Sequence, residues 1–323
     1  MEQLNILIMN FTQLEYLKSL VEHGSFSLAA KKLKLTQPAL SLQIAKLEDE
    51  LEFRLLDRRK RPLQLTPEGE IFYTKSIEIL KMMNELKQVS FELGDEVKGF
   101  LKVGIIPTLS PYLVSLFIDY LHSKFPLLQL EITEQKTEEI IRQIKLGALD
   151  CGILSTPVFA TGVVFERLFF EKFFAYVSEM HPQFKKKELK MNSIQEKDIW
   201  YLEEGNCFQN QVNSICKINL QKEKSQNLIY RSNSIESLRR IVENKHGITF
   251  VPELATINIP SEQEDLVKSL AGPTPVREIS LVTTRNNPKE RQITALKEII
   301  VQSIPQRMRR QPKGSIIDTN IRM

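Results

Sequence analysis

The chain has 323 residues, 42% hydrophobic and 26% charged, with a formal net charge of +4; this is the composition of a globular protein long enough for two or three domains. No apolar run approaches the ~20 residues of a membrane span, because the greasiest stretch, Val163–Val177, is broken by Glu166, Arg167, Glu171 and Lys172. A secretory signal is not recognisable at the start, so the cytoplasm is the expected compartment, and three cysteines are too few for a disulfide framework.

Residues 1–8 read as an extension, with Met9 an alternative start to Met1. From Thr12 the spacing predicts a helix whose inner face is Leu14, Leu17, Leu20 and Val21, closed by Gly24. Ser25 is placed to cap a second helix, Phe26–Leu33, and Thr36 a third, Gln37–Leu51, with Pro38 tolerated in its first turn. In the third helix Leu40, Ile44, Leu47 and Leu51 point inward, leaving Gln37, Ala39, Ser41, Gln43 and Lys46 on the other side. Two short helices joined by the turn Lys34-Leu35-Thr36 make a helix-turn-helix, whose second helix suits a major groove.

The basic segment Arg58–Pro67, with a short strand Leu63-Gln64-Leu65, reads as a wing. Lys31, Lys32 and Lys34 form one positive cluster, and Arg54, Arg58, Arg59, Lys60 and Arg61 another. Local positive charge of this kind is the footprint of phosphate contacts, although a merely solvated face is the plain alternative. The groove-facing set is Gln37, Pro38, Ala39, Ser41 and Gln43, with Arg58, Arg59 and Arg61 as backbone contacts.

Glu68–Val97 is expected to be one long helix, in which Phe72, Ile79, Met83, Leu86, Leu93 and Val97 repeat at heptad steps with Ser76 and Ser90 between them. That is the pattern of a dimerisation helix. Gly99 marks a hinge, beyond which strands and helices alternate: strand Leu101–Ile106, helix Leu109–Phe125, strand Leu128–Thr133, helix Glu138–Leu146 ended by Gly147, and strand Leu149–Leu154. A second unit repeats the theme with strand Ile199–Leu202, a helical or irregular Cys207–Cys216, strand Leu228–Tyr230, helix Ile235–Asn244 and strand Ile248–Val251. Strand Ile279–Thr284 and helix Gln292–Gln302 close the fold.

The expected fold class is therefore an all-α winged helix-turn-helix over 9–67, a linker helix over 68–98, and an α/β effector domain of two lobes over 99–306, with a parallel sheet and a ligand cleft. The Arg-rich tail 307–323 reads as disordered. No phosphate loop, nucleophile elbow or metal-ligand spacing is visible, so neither an enzyme nor a metal or other cofactor is expected; His246 is read as structural and Cys151 as a buried thiol.

Over essentially its whole length the chain resembles the LysR-type transcriptional regulators. The resemblance is carried by SFSLAAKKLKLTQPALSLQIAKLEDEL at Ser25–Leu51, RPLQLTPEG at Arg61–Gly69, the linker helix and the two α/β lobes, which are of the periplasmic-binding-protein kind. Its second half resembles the OxyR type, the peroxide sensors, through GIIPTLSPYL at Gly104–Leu113, LDCGIL at Leu149–Leu154, LEEGNCFQNQVNSIC at Leu202–Cys216 and GITFVP at Gly247–Pro252. The resemblance implies a DNA-binding homodimer or homotetramer, hydrogen peroxide as signal, RNA polymerase as partner, and activation of antioxidant genes.

Position by position, Cys207 matches the peroxidatic cysteine and Cys216 the resolving one, Thr108 and Thr137 match the threonines that seat peroxide, and Arg277 a pocket arginine. Asn206 departs from the pattern by standing where the family has His; it can hydrogen-bond but cannot carry a proton. A start of a helix at Cys207 is expected to lower its thiol pKa. Were Cys207–Cys216 one helix, its ends would lie ~13 Å apart along the axis, whereas a disulfide needs Cα atoms within ~7 Å; bridging then requires unwinding. Two other readings stay open: a LysR-type regulator answering a small metabolite in the cleft, and a thiol peroxidase.

Overall fold

As a computed structural model, the structure describes residues 9–92, 96–203, 207–216, 230 and 232–323, and it divides into two units, Met1–Leu93 and Gly94–Met323. Helix α1 (Phe11–His23) begins with a reciprocal cap, in which Asn10 Oδ1 accepts the Gln13 N–H while Gln13 Oε1 accepts the Asn10 N–H. Gly24 ends it in the left-handed region at φ 60°. Helices α2 (Phe26–Leu33) and α3 (Gln37–Leu51) occupy the expected spans, and Thr36 Oγ1 accepts the Ala39 N–H at 3.4 Å. Leu17, Leu20, Ala29, Ala30, Leu40, Ile44 and Leu47 form their shared core. The wing is a hairpin of β1 (Leu56–Asp57) and β2 (Gln64–Leu65), with Leu56 opposite Leu65.

Helix α4 (Pro67–Glu92) corrects the expected seam. Phe72 packs edge-on against Phe53, with ring centroids 6.3 Å apart, and Ser76, Ile77 and Leu80 are buried in a helix that packs along α1. Ile71, Ile79, Met82 and Leu86 are exposed. Leu93 lies outside the described residues, and Val97 is not helical: it packs against a core of the second unit. A heptad spacing fits a helix lying on its own domain as well as one meeting a partner, so periodicity could not divide the two faces.

In the second unit come β3 (Gly99–Ile105), α5 (Ser110–Lys124), β4 (Leu128–Glu134), α6 (Thr137–Lys145), β5 (Cys151–Thr156), β6 (Val158–Phe159), β7 (Val164–Val177) and β8 (Glu188–Leu189). After them follow α7 (Cys207–Cys216), α8 (Ile235–Asn244), β9 (Ile248–Pro252), β10 (Val267–Leu270), β11 (Thr274–Thr283), α9 (Glu290–Ser303), β12 (Gly314–Ile316) and β13 (Ile321–Arg322). The main sheet runs β4-β3-β5-β11-β7-β10-β8, with β12 on β11 and β9 on β7. Gly99, expected as a hinge, is already inside the sheet opposite Leu128.

The sheet is mixed rather than parallel. β3 lies parallel to β4 and β5, but β11 is antiparallel to both β5 and β7. β7 is the stretch that the sequence offered only as an interrupted apolar run. Its Leu168 and Phe169 belong to the core of the first lobe, and its Phe173, Ala175, Tyr176 and Val177 to the core of the second. A strand of 14 residues thus joins two cores, and its mixed pattern reflects two differently covered halves. Of the expected strand Ile199–Leu202 there is one bridge, Ile199 to Ile248, while 228–229 fall outside the described residues. β11 starts at Thr274, five residues before the expected strand.

The tail is the larger correction. Residues 314–316 pair with β11, and Ile321–Arg322 with β6; Met308, Thr319 and Ile321 are buried, and Arg307 Nε donates to Glu253 Oε1 at 2.7 Å. Its charged composition hid apolar anchors spaced singly along an extended chain, too sparse for a periodicity to register.

Gly152 lets α6 lie close on the sheet: a Cβ there would stand 2.3 Å from Ile140 Cγ2 and 3.1 Å from Val282 Cγ1. Gly152→Ala should therefore push α6 off β5 and destabilise the second unit by ~1–3 kcal/mol, read as a lower urea midpoint; an unchanged midpoint would mean that α6 has room to spare.

Candidate functional site

Where the two cores of the second unit meet, β7 and β11 bring Glu171 and Arg277 into register as cross-strand partners. Both side chains are fully buried. Arg277 Nε donates to Glu171 Oε1 at 2.7 Å and Nη2 stands 2.6 Å from the same oxygen. Nη1 donates to Thr108 Oγ1 at 3.1 Å and Nη2 to the Thr108 carbonyl at 3.3 Å. The other Glu171 oxygen accepts the Leu254 N–H at 3.1 Å. Burial pushes the Glu171 carboxyl up while the guanidinium pulls it back. The remaining face of Arg277 lies over the Phe208 ring, 5.0 Å from its centroid.

Phe208 is the second residue of α7, and Cys207 the first. Cys207 is buried in the first lobe's core, while Phe208 and Val212 enter the second's. The helix start was expected to lower the Cys207 pKa; instead burial raises it above the ordinary thiol value, opposed by the Arg277 charge, the Thr137 side chain and the Phe208 amide. Desolvation acts on the whole thiolate charge, whereas a helix end supplies only partial charges. Thr137, the first residue of α6, has a buried Oγ1 with no hydrogen bond of good geometry to the chain, yet it stands near enough to favour the thiolate.

Arg277 and Thr137 thus act on Cys207, and Thr108 is bonded to Arg277, while Asn206 lies outside the described residues. Cys216 is at the far end of α7, half-buried against the second core, with its thiol pushed up to about 12 by burial. All three thiols are free. Cys151 is fully buried in β5, and its thiol is raised far beyond the ordinary range by burial and the nearby Asp150.

Among the described residues, His181, Asp198 and His246 are the trio whose ligand atoms are near enough to hold a metal ion, all within 4.8 Å of one another. However, His181 Nδ1 accepts the Gln183 N–H at 3.2 Å, which places the ring proton on Nε2, facing Asp198 Oδ2 at 3.4 Å. That tautomer occupies the lone pair a metal needs, and it suits a structural histidine.

In the first unit Gln37, Pro38 and Ala39 are exposed at the start of α3, and Ser41 and Gln43 are half-buried. Arg61 is exposed on the wing. Arg59 instead forks onto Asp57, at 3.0 and 3.3 Å, and Arg58 turns to Glu48 at 3.1 Å while lying over Phe26. Glu48 was not foreseen: its buried carboxylate also accepts the N–H groups of Leu55 and Leu56 and one from Arg54. Its place on the inner side of α3, next to Leu47, was the available signal. For Glu171 the signal was a lone acid inside Phe-Phe-Glu-Lys-Phe-Phe.

Residues 94–305 match the family described as LysR substrate binding domain, and residues 11–70 the family described as bacterial regulatory helix-turn-helix protein, lysR family. The chain is similar to the "Hydrogen peroxide-inducible genes activator" of Haemophilus influenzae, at 35% identity over 87% of this chain and 92% of the relative. It is 33% identical to the "DNA-binding transcriptional dual regulator OxyR" of Escherichia coli, over 90% of this chain and 95% of that one. A solved full-length OxyR variant from Pseudomonas aeruginosa superposes with a TM-score of 0.73 at 27% identity, covering 91% of this chain and 98% of the other.

Because the folded Cys207 holds its proton more tightly than an unfolded thiol, stability falls as pH rises through the ordinary thiol range, and Cys207 reacts faster with rising pH. The paired change Arg277→Met with Glu171→Gln removes the cation without stranding a buried charge, a loss that singly costs ~3–5 kcal/mol. It should move the pH profile of Cys207 alkylation to higher pH; a profile left in place would remove Arg277 from the thiol's electrostatics.

Proposed function

Since the chain belongs to the LysR family of bacterial regulators, we propose that it is an OxyR-type transcription activator that binds DNA and responds to hydrogen peroxide through Cys207. The observation that carries this reading is a buried helix-start thiol whose thiolate is favoured by both the Arg277 charge and the Thr137 side chain. The Cys207 thiolate attacks one peroxide oxygen, the O–O bond breaks, and hydroxide leaves and takes up a proton, giving a sulfenic acid and water. The Cys216 thiolate then attacks that sulfur and displaces a second hydroxide, which becomes water as the disulfide forms. Two thiols and one peroxide thus yield one disulfide and two waters.

Nine residues of intact helix separate the sulfurs by ~13 Å along the axis, and a disulfide tolerates no more than ~7 Å between Cα atoms. Helix α7 must open for the bridge to form. Opening withdraws Phe208 from its place against Arg277 and Phe173, onto which it stacks with centroids 5.0 Å apart. The chemical step is therefore coupled to the contact between the lobes, which makes a switch rather than a reporter.

At the other end, α3 reads the major groove through Gln37, Pro38, Ala39, Ser41 and Gln43, and the wing, with Arg58, Arg59 and Arg61, follows the phosphates. The exposed stripe Ile71, Ile79, Met82 and Leu86 on α4 serves a homodimer, as a two-fold operator requires. A homotetramer acting with RNA polymerase on antioxidant genes is the corresponding assembly.

Under micromolar peroxide, mass spectrometry should find a Cys207–Cys216 bridge and the operator footprint should change; Cys207→Ser should abolish both, and Cys216→Ser should stop at the sulfenic acid. A footprint that ignores peroxide but shifts with a small metabolite, also in Cys207→Ser, would replace this reading by a metabolite sensor. For the DNA end, Arg61→Ala should weaken all sequences alike and reduce the salt slope by about one. Gln37→Ala should alter sequence preference by ~1–3 kcal/mol, and the reverse pattern would exchange their roles.

A further inference from the structure

The C-terminal segment, residues 314–323, lies on the helix that has to open. Asn210 Nδ2 donates to the Thr319 carbonyl at 3.1 Å, and Gln211 Nε2 to the Ile317 carbonyl at 2.8 Å. Asn320 Nδ2 donates to Ser214 Oγ at 3.3 Å. These three α7 residues lie between Cys207 and Cys216, on the turns that would unwind. Gln211 is fully buried and also shares hydrogen bonds with Ser155 Oγ of β5. Its carboxamide is thus committed on one side to the first lobe's sheet and on the other to the tail.

The tail has a firm seat of its own. Val276, next to Arg277, is opposite Ile316 in the β11–β12 pairing, and the Ile317 N–H donates to the Val276 carbonyl at 2.9 Å. Gly314 allows the close approach, since a Cβ there would stand 2.2 Å from the Thr274 carbonyl oxygen. Farther on, Thr319 Oγ1 donates to the Pro157 carbonyl at 2.5 Å and the Met323 N–H to the Phe159 carbonyl at 2.7 Å. Thr319 and Ile321 are buried. The strand that sets the Arg277 guanidinium and the helix that carries both thiols are therefore held by one peptide.

We propose that the C-terminal segment 314–323 is a latch on α7, with Asn210, Gln211 and Asn320 as positioning residues that set how readily the helix opens for the Cys207–Cys216 bridge. The inference rests on the peroxide reading, since only bridge formation requires that opening. Unwinding α7 pulls the Asn210 and Gln211 donors from the tail carbonyls, and each lost bond favours the closed helix. Asn210 and Asn320 touch neither reacting sulfur nor Arg277, so they act on the resolving step and leave the attack on peroxide alone.

Two variants test it: the full-length Asn210→Ala with Asn320→Ala, and a chain with a stop after Lys313. In the reduced proteins, amide hydrogen exchange across 207–216 should rise by about tenfold, as expected for one or two lost hydrogen bonds. After a single peroxide dose, conversion of the Cys207 sulfenic acid to the bridge should speed up by a similar factor, with the acid's rate of formation unchanged in the Asn210→Ala, Asn320→Ala protein. In the parent protein, trypsin should cut after Lys313 faster once the bridge has formed. Exchange that stays at the parent level in both variants overturns the latch whatever peroxide does. Faster exchange with no bridge in any protein leaves the tail as a clamp on α7 but overturns its part in a redox switch, along with the peroxide reading itself. Faster exchange and bridging without tail release on oxidation would overturn the coupling between bridge and tail.

Discussion

The second unit is organised around a single buried ion pair. Arg277 and Glu171 face each other across the β11–β7 ladder, at the place where β7 passes from one hydrophobic core to the next. An isolated charge could not be carried there, so the pair must be complete, and its spare donors and acceptors are taken up by Thr108 and the Leu254 amide. With its N–H groups so engaged, the guanidinium lies over the Phe208 ring. The position of α7, and with it of Cys207, follows from what Arg277 needs to be buried.

The same arrangement sets opposing demands on the thiol. Exclusion of water makes Cys207 harder to ionise, while the Arg277 charge and the Thr137 side chain make it easier. Cys216, at the other end of the same helix, is raised by burial alone.

In the first unit a carboxylate plays the organising part. Glu48 is buried on α3 and gathers the N–H groups of Leu55 and Leu56 together with Arg54 and Arg58, which ties the base of the wing to the recognition helix. Two of the arginines expected to meet phosphate are accordingly engaged by acids in the free protein. Arg61, by contrast, is exposed on the wing.

Helices α1–α3 were legible in the sequence to the residue or nearly so, because of local signals: Thr36 as a cap, Gly24 as a stop, and Leu40, Ile44 and Leu47 as a stripe of helical period; the Asn10 cap was not read, and Ser25, expected to cap α2, makes no side-chain cap bond. The motif strings likewise singled out Cys207 and Thr108, and the resemblance singled out Thr137 and Arg277 by position. What the sequence could not decide was whatever depends on which surface covers which. It left β7 as an interrupted apolar run, Val97 in a helix and the tail as disordered, and it took a helix start as sufficient to lower a thiol pKa. Glu171 inside β7 and the single apolar anchors of the tail make sense only when β11 lies between them, for ion pairing, strand pairing and desolvation are properties of neighbours distant in the chain. Local periodicity and capping fixed the elements; burial, which is decided by tertiary packing alone, set the direction of the thiol's pKa shift and the place of the strand, the seam and the tail.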